Sequence, residues 1–479
     1  MRRVVVVGYG MAGARLAEEL RRHDPGGTRV AVTVVGAEPH PAYNRVLLSG
    51  VLAGSLDAAA VRTHDPDWAA RHHVDLRLGV AAAGIDRAGR RLALTDRTGV
   101  DYDDLVLATG ARPWLPPVEG LAGEDGGPAR GVATFRTLDD CARILAAART
   151  GAPVAVLGGG LLGLEVARGL AGRGCLVTVV HPAGQVMERQ LDQGAGRVLA
   201  RSLEACGVAF RLPAEAVRYV PGDGLKLADG THVDAELVVV AAGVRAETGL
   251  AVAAGLAVDG GIVVDDALRT GDPHVYAIGD CARHRAAPGG LVQPAWEQAA
   301  VLAARLTGAD PEARYRGTPV VTRLKAAGVD LAALGEVHAG TEDPDLEVLR
   351  VEDPVRGRYA KLVVRADRVA GAILLGVPDA AATITQLYDR QSPVPVDRLA
   401  LLLGRALPEA AEASARTLPG TAVICRCNGV SKADLVREWR GGARTEAALA
   451  AATRATTGCG GCRDAVGDVT SWLSSLDAG

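Results

Sequence analysis

The sequence predicts an α/β protein that ends in a small helical unit. Three observations carry that prediction. Twice an unbroken apolar run leads through a glycine-rich turn into a helical pattern, at "RRVVVVGYGMAGARLAEEL" and "APVAVLGGGLLGLEVARGL". Within residues 319–403, strand-like runs such as "KLVVRAD" and "RVAGAILLG" are divided by turns. Four of the eight cysteines then gather in residues 421–479. Apolar runs that precede such turns read as strands buried on both faces, the pattern of a parallel sheet.

Bulk properties narrow the function classes. At 479 residues the chain has room for several domains. Its 48% hydrophobic and 23% charged residues are those of an ordinary globular protein. A formal net charge of -3 argues against broad nucleic-acid binding, which needs a basic face. No stretch reaches the roughly 18–20 apolar residues of a membrane helix. "MRRVVVVGYGMAG" starts like a secretory signal, but its four valines break at once into glycines, so a buried strand is the better reading. The expected location is the cytoplasm, where clustered cysteines are more often metal or redox ligands than disulfides.

The first glycine turn places Gly8, Gly10 and Gly13 between strand and helix, and the next strand, "RVAVTVVGAE", ends at Glu38. This is the context a G-x-G-x-x-G turn needs to be a Rossmann-like dinucleotide site. Gly8 permits the turn, Gly10 lets backbone approach a pyrophosphate, and Gly13 allows close helix–strand packing. Free N–H groups at the helix start hold the pyrophosphate, and Glu38 can accept from both ribose hydroxyls. The second turn repeats the pattern with Gly158, Gly160 and Gly163, but its following strand "CLVTVV" ends at His181. An acid there would favour NADH; an imidazole tolerates either cofactor, so NADH and NADPH both stay open.

Joined by "YDDLVLATGARPWLPP" and followed by "DPHVYAIGDCARH", the two units resemble the two-dinucleotide flavoprotein family, which binds FAD first and NAD(P)H second. The resemblance covers about residues 1–318. It implies that Ala108, Thr109 and Gly110 form the crossover back to the FAD domain, and that Asp280 holds the ribityl and pyrophosphate region of the flavin. The segment "PAYNRVLLSGVLAG" lacks the cysteine that disulfide-active relatives carry there. Cys141, Cys175, Cys206 and Cys281 are scattered and read as packing residues. "YNRVLLS" is instead similar to rubredoxin-reductase-like enzymes and to the nitrite reductase large subunit. That similarity sets Arg45 near the FAD pyrophosphate and isoalloxazine edge, where its charge could stabilise reduced flavin. It also points the helix start near Trp296 at the flavin, and puts Glu165 on the nicotinamide side.

The resulting division is an FAD domain at 1–112 and 266–318, an NAD(P)H domain with its linker at 113–265, and an α+β interface domain at 319–403. A linker at 404–420 leads to the last unit at 421–479. Interface domains of this type cover the flavin and can mediate dimers. In the last unit Cys425, Cys427, Cys459 and Cys462 are spaced C-x-C-x31-C-x2-C. Four thiolates suit tetrahedral zinc or an iron–sulfur cluster. The C-x-C half resembles the small domain of bacterioferritin-associated ferredoxin, which implies [2Fe–2S] ligation in an all-α unit. "SKADLVREW", "TEAALAAATRAT" and "CRDAVGDVTSWLSSL" read as its three helices. A unit this small rarely holds a core without such a staple.

In this order the domains resemble the first half of assimilatory NAD(P)H nitrite reductase, and over the whole chain the electron-transfer subunit of assimilatory nitrate reductase. The implied role is to pass electrons from NAD(P)H through FAD and [2Fe–2S] to a separate molybdenum subunit. No further cysteines follow Cys462 for a nitrite-reducing centre, so nitrite reduction by this chain alone is not expected. Two alternatives stand beside it. One is a ferredoxin- or rubredoxin-type reductase with another acceptor. The other is a non-catalytic flavin and iron–sulfur redox sensor.

Overall fold

The computed structural model describes residues 1–285, 290–405, 415–425, 428–457 and 461–477. The chain divides into two compact units. One comprises Met1–Val46, Asp57–Pro113 and Val244–Thr318; the other comprises Leu47–Leu56, Trp114–Gly243 and Pro319–Gly479.

In the first unit a five-stranded parallel sheet runs in the order Val275–Ala277, Asp104–Leu107, Arg2–Val7, Val30–Gly36, Val74–Leu78. Arg2–Val7 is central, in register with Val30–Val35 on one side and Asp104–Leu107 on the other. That place explains its sequence: Val4, Val5, Val6 and Val7 are all buried, as a central parallel strand requires. Helices Met11–His23 and Val292–Leu306 give Leu16, Leu20, Ala299 and Leu302 to the same core.

The short strand Ala111–Pro113 pairs antiparallel with Val244–Ala246, so outgoing and returning crossings lie side by side. The return therefore begins at Val244, earlier than the expected 266, because this pairing and the strand pair Ile262–Val264 with Ala282–His284 belong to the first unit.

The second unit repeats the parallel pattern in the order Val208–Arg211, Leu176–Val180, Pro153–Leu157, Leu237–Val240, Val132–Thr134. Helix Leu161–Gly172 carries the second fingerprint, and Gly169 brings it against helix Leu48–Ala53: a Cβ there would sit 3.5 Å from Ala53. Beyond it lies a five-stranded antiparallel sheet, ordered Val321–Ala326, Val329–Gly335, Arg368–Leu375, Arg358–Arg365, Glu347–Asp353. Helices Pro378–Arg390 and Arg398–Leu402 add Ile384, Leu387, Leu401 and Leu402 to its core.

Among the described residues the last segment combines helices with a short hairpin, Val423–Cys425 with Val430–Ser431. Its helices are Lys432–Arg440, Glu446–Thr453 and Arg463–Asp477. The first of them opens with a reciprocal cap in which the Ser431 hydroxyl accepts from the Asp434 N–H and the Asp434 carboxylate accepts from the Ser431 N–H. Among the described residues no helix is long and apolar enough to cross a membrane.

Candidate functional site

The first glycine turn forms a cradle in which Gly8 and Gly13 leave no room for a side chain. Gly8 has φ +110°, and a Cβ there would lie 2.2 Å from the Ala108 carbonyl oxygen. A Cβ on Gly13 would lie 1.9 Å from the Gly8 oxygen. Strand, crossover and helix thus meet backbone to backbone. Gly10 is the N-cap of helix Met11–His23, makes no side-chain cap bond, and is followed by a first turn without acids. Its free N–H groups and dipole suit an anion.

Around that helix start stand the other expected FAD residues. Glu38 accepts a 2.5 Å hydrogen bond from the Tyr43 hydroxyl and one from the Arg45 guanidinium. Arg45 also lies 3.7 Å from a Cβ placed on Gly10 and stacks over Tyr43 at 5.3 Å. The structure therefore sets Arg45 between Glu38 and the N-terminal end of the first fingerprint helix. Thr109 donates to the Glu247 carbonyl at 2.7 Å, and Gly110 has φ +73°. Asp280 accepts from the Gly290 N–H at 2.9 Å. Before it, Gly279 has φ +74° and would carry a Cβ only 2.8 Å from Ala12, which brings Asp280 beside the start of the fingerprint helix. Trp296 lies in the first turns of helix Val292–Leu306 with the Arg15 guanidinium 5.6 Å from its ring; its indole N–H is buried without a partner among the described residues.

The second cradle has the same geometry. Gly158, at φ +122°, would place a Cβ 2.4 Å from the Ala241 oxygen, and Gly163 one 2.0 Å from the Gly158 oxygen. Gly160 caps helix Leu161–Gly172 with open space around it and no side-chain bond. His181 is buried with its ring against Gly159, where a Cβ would come within 2.8 Å, and its Nε2 is 3.0 Å from the Glu188 carboxylate. An acid thus stands at the end of this strand after all, supplied seven residues later. Sequence reading missed it because nothing in "HPAGQVMERQ" says that the chain doubles back.

Glu165 is buried, and accepts the Lys325 N–H at 3.1 Å and the Lys325 ammonium at 3.2 Å. Lys325 belongs to strand Val321–Ala326 of the antiparallel sheet. Ser49, Ala53, Arg168 and Gly169 line a cleft with this pair.

Of the four clustered cysteines, Cys427 and Cys459 lie outside the described residues. Cys425 is fully buried and Cys462 nearly so. Each thiol has an N–H donor: Asn428 Nδ2 at 3.7 Å from Cys425 Sγ, and the Thr456 N–H at 3.2 Å from Cys462 Sγ. Asn428 also donates to the Arg454 carbonyl at 2.6 Å, so one side chain ties the first cysteine loop to the turn that contacts the last cysteine. Buried thiols supplied with N–H donors fit a cluster whose net charge is negative.

The scattered cysteines differ. Cys141, Cys175 and Cys281 are buried and Cys206 half-buried. Burial pushes the Cys141 thiol up to about 12 and raises those of Cys175 and Cys281, which keeps them protonated.

Comparison with known proteins agrees with this architecture. Residues 2–301 match the pyridine nucleotide-disulphide oxidoreductase family. Residues 320–391 match the rubredoxin NAD+ reductase C-terminal domain, and 423–470 the BFD-like [2Fe–2S] binding domain. The chain is 36% identical to nitrite reductase [NAD(P)H] of Bacillus subtilis, over 98% of this chain and 57% of that protein. It is 33% identical to the assimilatory nitrate reductase electron transfer subunit of the same organism, over 99% of this chain and 60% of that one. It therefore spans less than two thirds of either relative.

Rubredoxin-NAD(+) reductase of Alcanivorax borkumensis is 32% identical over 76% of this chain and 94% of its own length. Among solved structures, the covalent putidaredoxin reductase–putidaredoxin complex superposes with a TM-score of 0.72 at 27% identity, over 84% of this chain and 95% of that one. With two dinucleotide cradles and a cysteine domain already in place, the chain belongs to the pyridine nucleotide-disulphide oxidoreductase family, as an FAD- and NAD(P)H-dependent oxidoreductase that carries a BFD-like [2Fe–2S] domain.

Proposed function

We propose that this chain is the reductase of an assimilatory nitrate reductase system, working in the cytoplasm. It takes electrons from NAD(P)H and delivers them to a molybdenum-containing catalytic subunit. One observation carries the reading: a cysteine loop with buried, N–H-supplied thiols follows two dinucleotide cradles in the same chain. When bound, FAD converts a two-electron hydride donor into a source of single electrons, and a [2Fe–2S] cluster conveys them one at a time.

The chain's own residues bind and orient. Gly8, Gly10 and Gly13 open the FAD pyrophosphate site, Glu38 takes the ribose hydroxyls, and Arg45 neutralises the pyrophosphate beside them. Ala108, Thr109 and Gly110 carry the crossover along the flavin, Asp280 holds its ribityl side, and the helix bearing Trp296 directs its N-terminal dipole at the ring. Gly158, Gly160 and Gly163 receive the nicotinamide dinucleotide, with His181 and Glu188 at its adenosine end and Glu165 toward the nicotinamide. Cys425, Cys427, Cys459 and Cys462 are the cluster ligands. The antiparallel sheet domain is the face on which a second copy would pair as a homodimer.

A second reading, a ferredoxin- or rubredoxin-type reductase, is favoured by the similarity of residues 320–391 to the rubredoxin reductase C-terminal domain. Acceptor choice lies in surface shape and charge, not in the cofactor sites. The deciding experiment is anaerobic titration with NADH and then NADPH, followed by visible absorbance and low-temperature EPR, with Cys425→Ser and Cys459→Ser alongside. Flavin bleaching plus a [2Fe–2S] signal is expected in the wild type. In the variants, ferricyanide reduction survives and delivery to the nitrate reductase catalytic subunit collapses. Equal loss of both activities would reduce the cysteine domain to a structural appendage. Delivery to a rubredoxin but not to the molybdenum subunit would favour the second reading.

A further inference from the structure

Strand Val321–Ala326 alternates strictly: Thr322, Leu324 and Ala326 are buried, while Val321, Arg323 and Lys325 share the other, half-buried face. On that face Lys325 closes on Glu165. Two residues earlier, Arg323 meets the cysteine domain. A Cβ on Gly461 would lie 3.2 Å from Arg323 Cζ and 3.3 Å from its Nε and Nη1. Gly461 directly precedes Cys462, and a Cβ there would press lightly on the guanidinium.

Arg323 has no ion pair among the described residues, although its neighbour Lys325 has one. A half-buried arginine with no ion pair among the described residues suits an anion at its guanidinium. The loop it touches supplies one when metallated. A four-thiolate [2Fe–2S] centre is net negative in both redox states, and more so after gaining an electron.

We infer that Arg323 is the docking cation for the second cysteine loop: it seats the cluster domain on the antiparallel sheet and favours the reduced form of the cluster. This rests on the cluster reading of the last domain and adds to it a specific partner surface within the same chain. A fixed positive charge near the loop stabilises the more negative redox state more than the less negative one, so removing it lowers the potential.

The test is an EPR-monitored redox titration of the full-length protein loaded with FAD and cluster, comparing wild type, Arg323→Gln and Arg323→Lys. Arg323→Gln is expected to cut the reduced-to-oxidised ratio at a given potential about tenfold, a fall of about 59 mV for a one-electron couple. Arg323→Lys is expected to recover most of it, with iron content and flavin bleaching by NADH unchanged throughout. As a second readout, backbone amides of Thr456 and Cys462 exchange faster in Arg323→Gln than in the lysine variant. An unchanged midpoint in Arg323→Gln overturns the inference, and so does equal loss of cluster in both variants. Absence of any cluster signal in the wild type overturns the cluster reading itself.

Discussion

The Glu165–Lys325 pair sets the strongest quantitative demand on the structure. Glu165 has 3% of its side chain exposed and Lys325 17%, with 3.1 Å between charged atoms. At an effective dielectric constant of about 20, that separation is worth about 5 kcal/mol of attraction, most of it offset by desolvation. Removing either charge forfeits the attraction and keeps the penalty. Lys325→Met leaves a buried carboxylate with one backbone N–H, and Glu165→Gln leaves an ammonium against an amide, so each should destabilise by about 3 kcal/mol. The double variant removes both penalties and should return to within about 1 kcal/mol of wild type, a coupling of about 5 kcal/mol. Urea denaturation of the four FAD-loaded proteins closes the cycle. Additive single effects, with coupling below about 0.5 kcal/mol, would mean the pair is solvated and the packing argument wrong. The same proteins report on function: NADH affinity should fall in Glu165→Gln and not return in the double variant, because the carboxylate is the group proposed to face the nicotinamide.

Gly13→Ala should yield protein purified without FAD, whereas Gly163→Ala should keep its FAD and lose NADH binding, since each Cβ would strike a different backbone carbonyl at about 2 Å; flavin absorbance and dinucleotide titration separate the two. Glu188→Gln should narrow any preference for NADH over NADPH about tenfold by removing the charge that repels a 2'-phosphate, read as the ratio of dissociation constants; equal ratios in wild type and variant would free Glu188 of that role. Asp192 contributes to the acid dependence of stability. Burial works against its charged form, but the Tyr359 hydroxyl at 2.6 Å, the Ala195 N–H at 3.0 Å and the Lys361 ammonium at 3.2 Å prevail and hold it below its ordinary 3.8. A lowered folded value means this stability is fully present above pH 3.8 and disappears as pH falls through that lower value. Asp192→Asn should therefore cost about 3 kcal/mol near neutrality, with the gap to wild type closing in acid; a gap independent of pH would refute it.

What the sequence made legible follows from the range of each interaction. The glycine turns could be read because turn, crossover and helix start depend on neighbours in the chain, and the φ values of Gly8 and Gly158 follow from that local demand. The helix at Lys432–Arg440 could be read from Ser431 and Asp434 for the same reason. Glu188, Lys325 and Arg323 could not. Glu188 reaches His181 only after the chain doubles back, and the other two act on residues more than a hundred positions away. Period-two alternation in "VTRLKA" tells which residues share a face, not what that face meets.

That face gives one strand two electrostatic tasks in line. Lys325 balances the acid on the nicotinamide-fingerprint helix, and two residues along Arg323 stands at the cysteine loop. A reductase that accepts electrons in pairs and releases them singly needs donor and exit modules held in a fixed relation, and a strand is stiffer than a linker for that purpose. Inverting either charge should therefore disturb one end and spare the other. Lys325→Glu should weaken dinucleotide binding with the cluster potential unmoved, and Arg323→Glu should lower the cluster potential with NADH affinity intact. If the two substitutions were to act alike, the strand would be a single stability element, and the division of labour along it would be wrong.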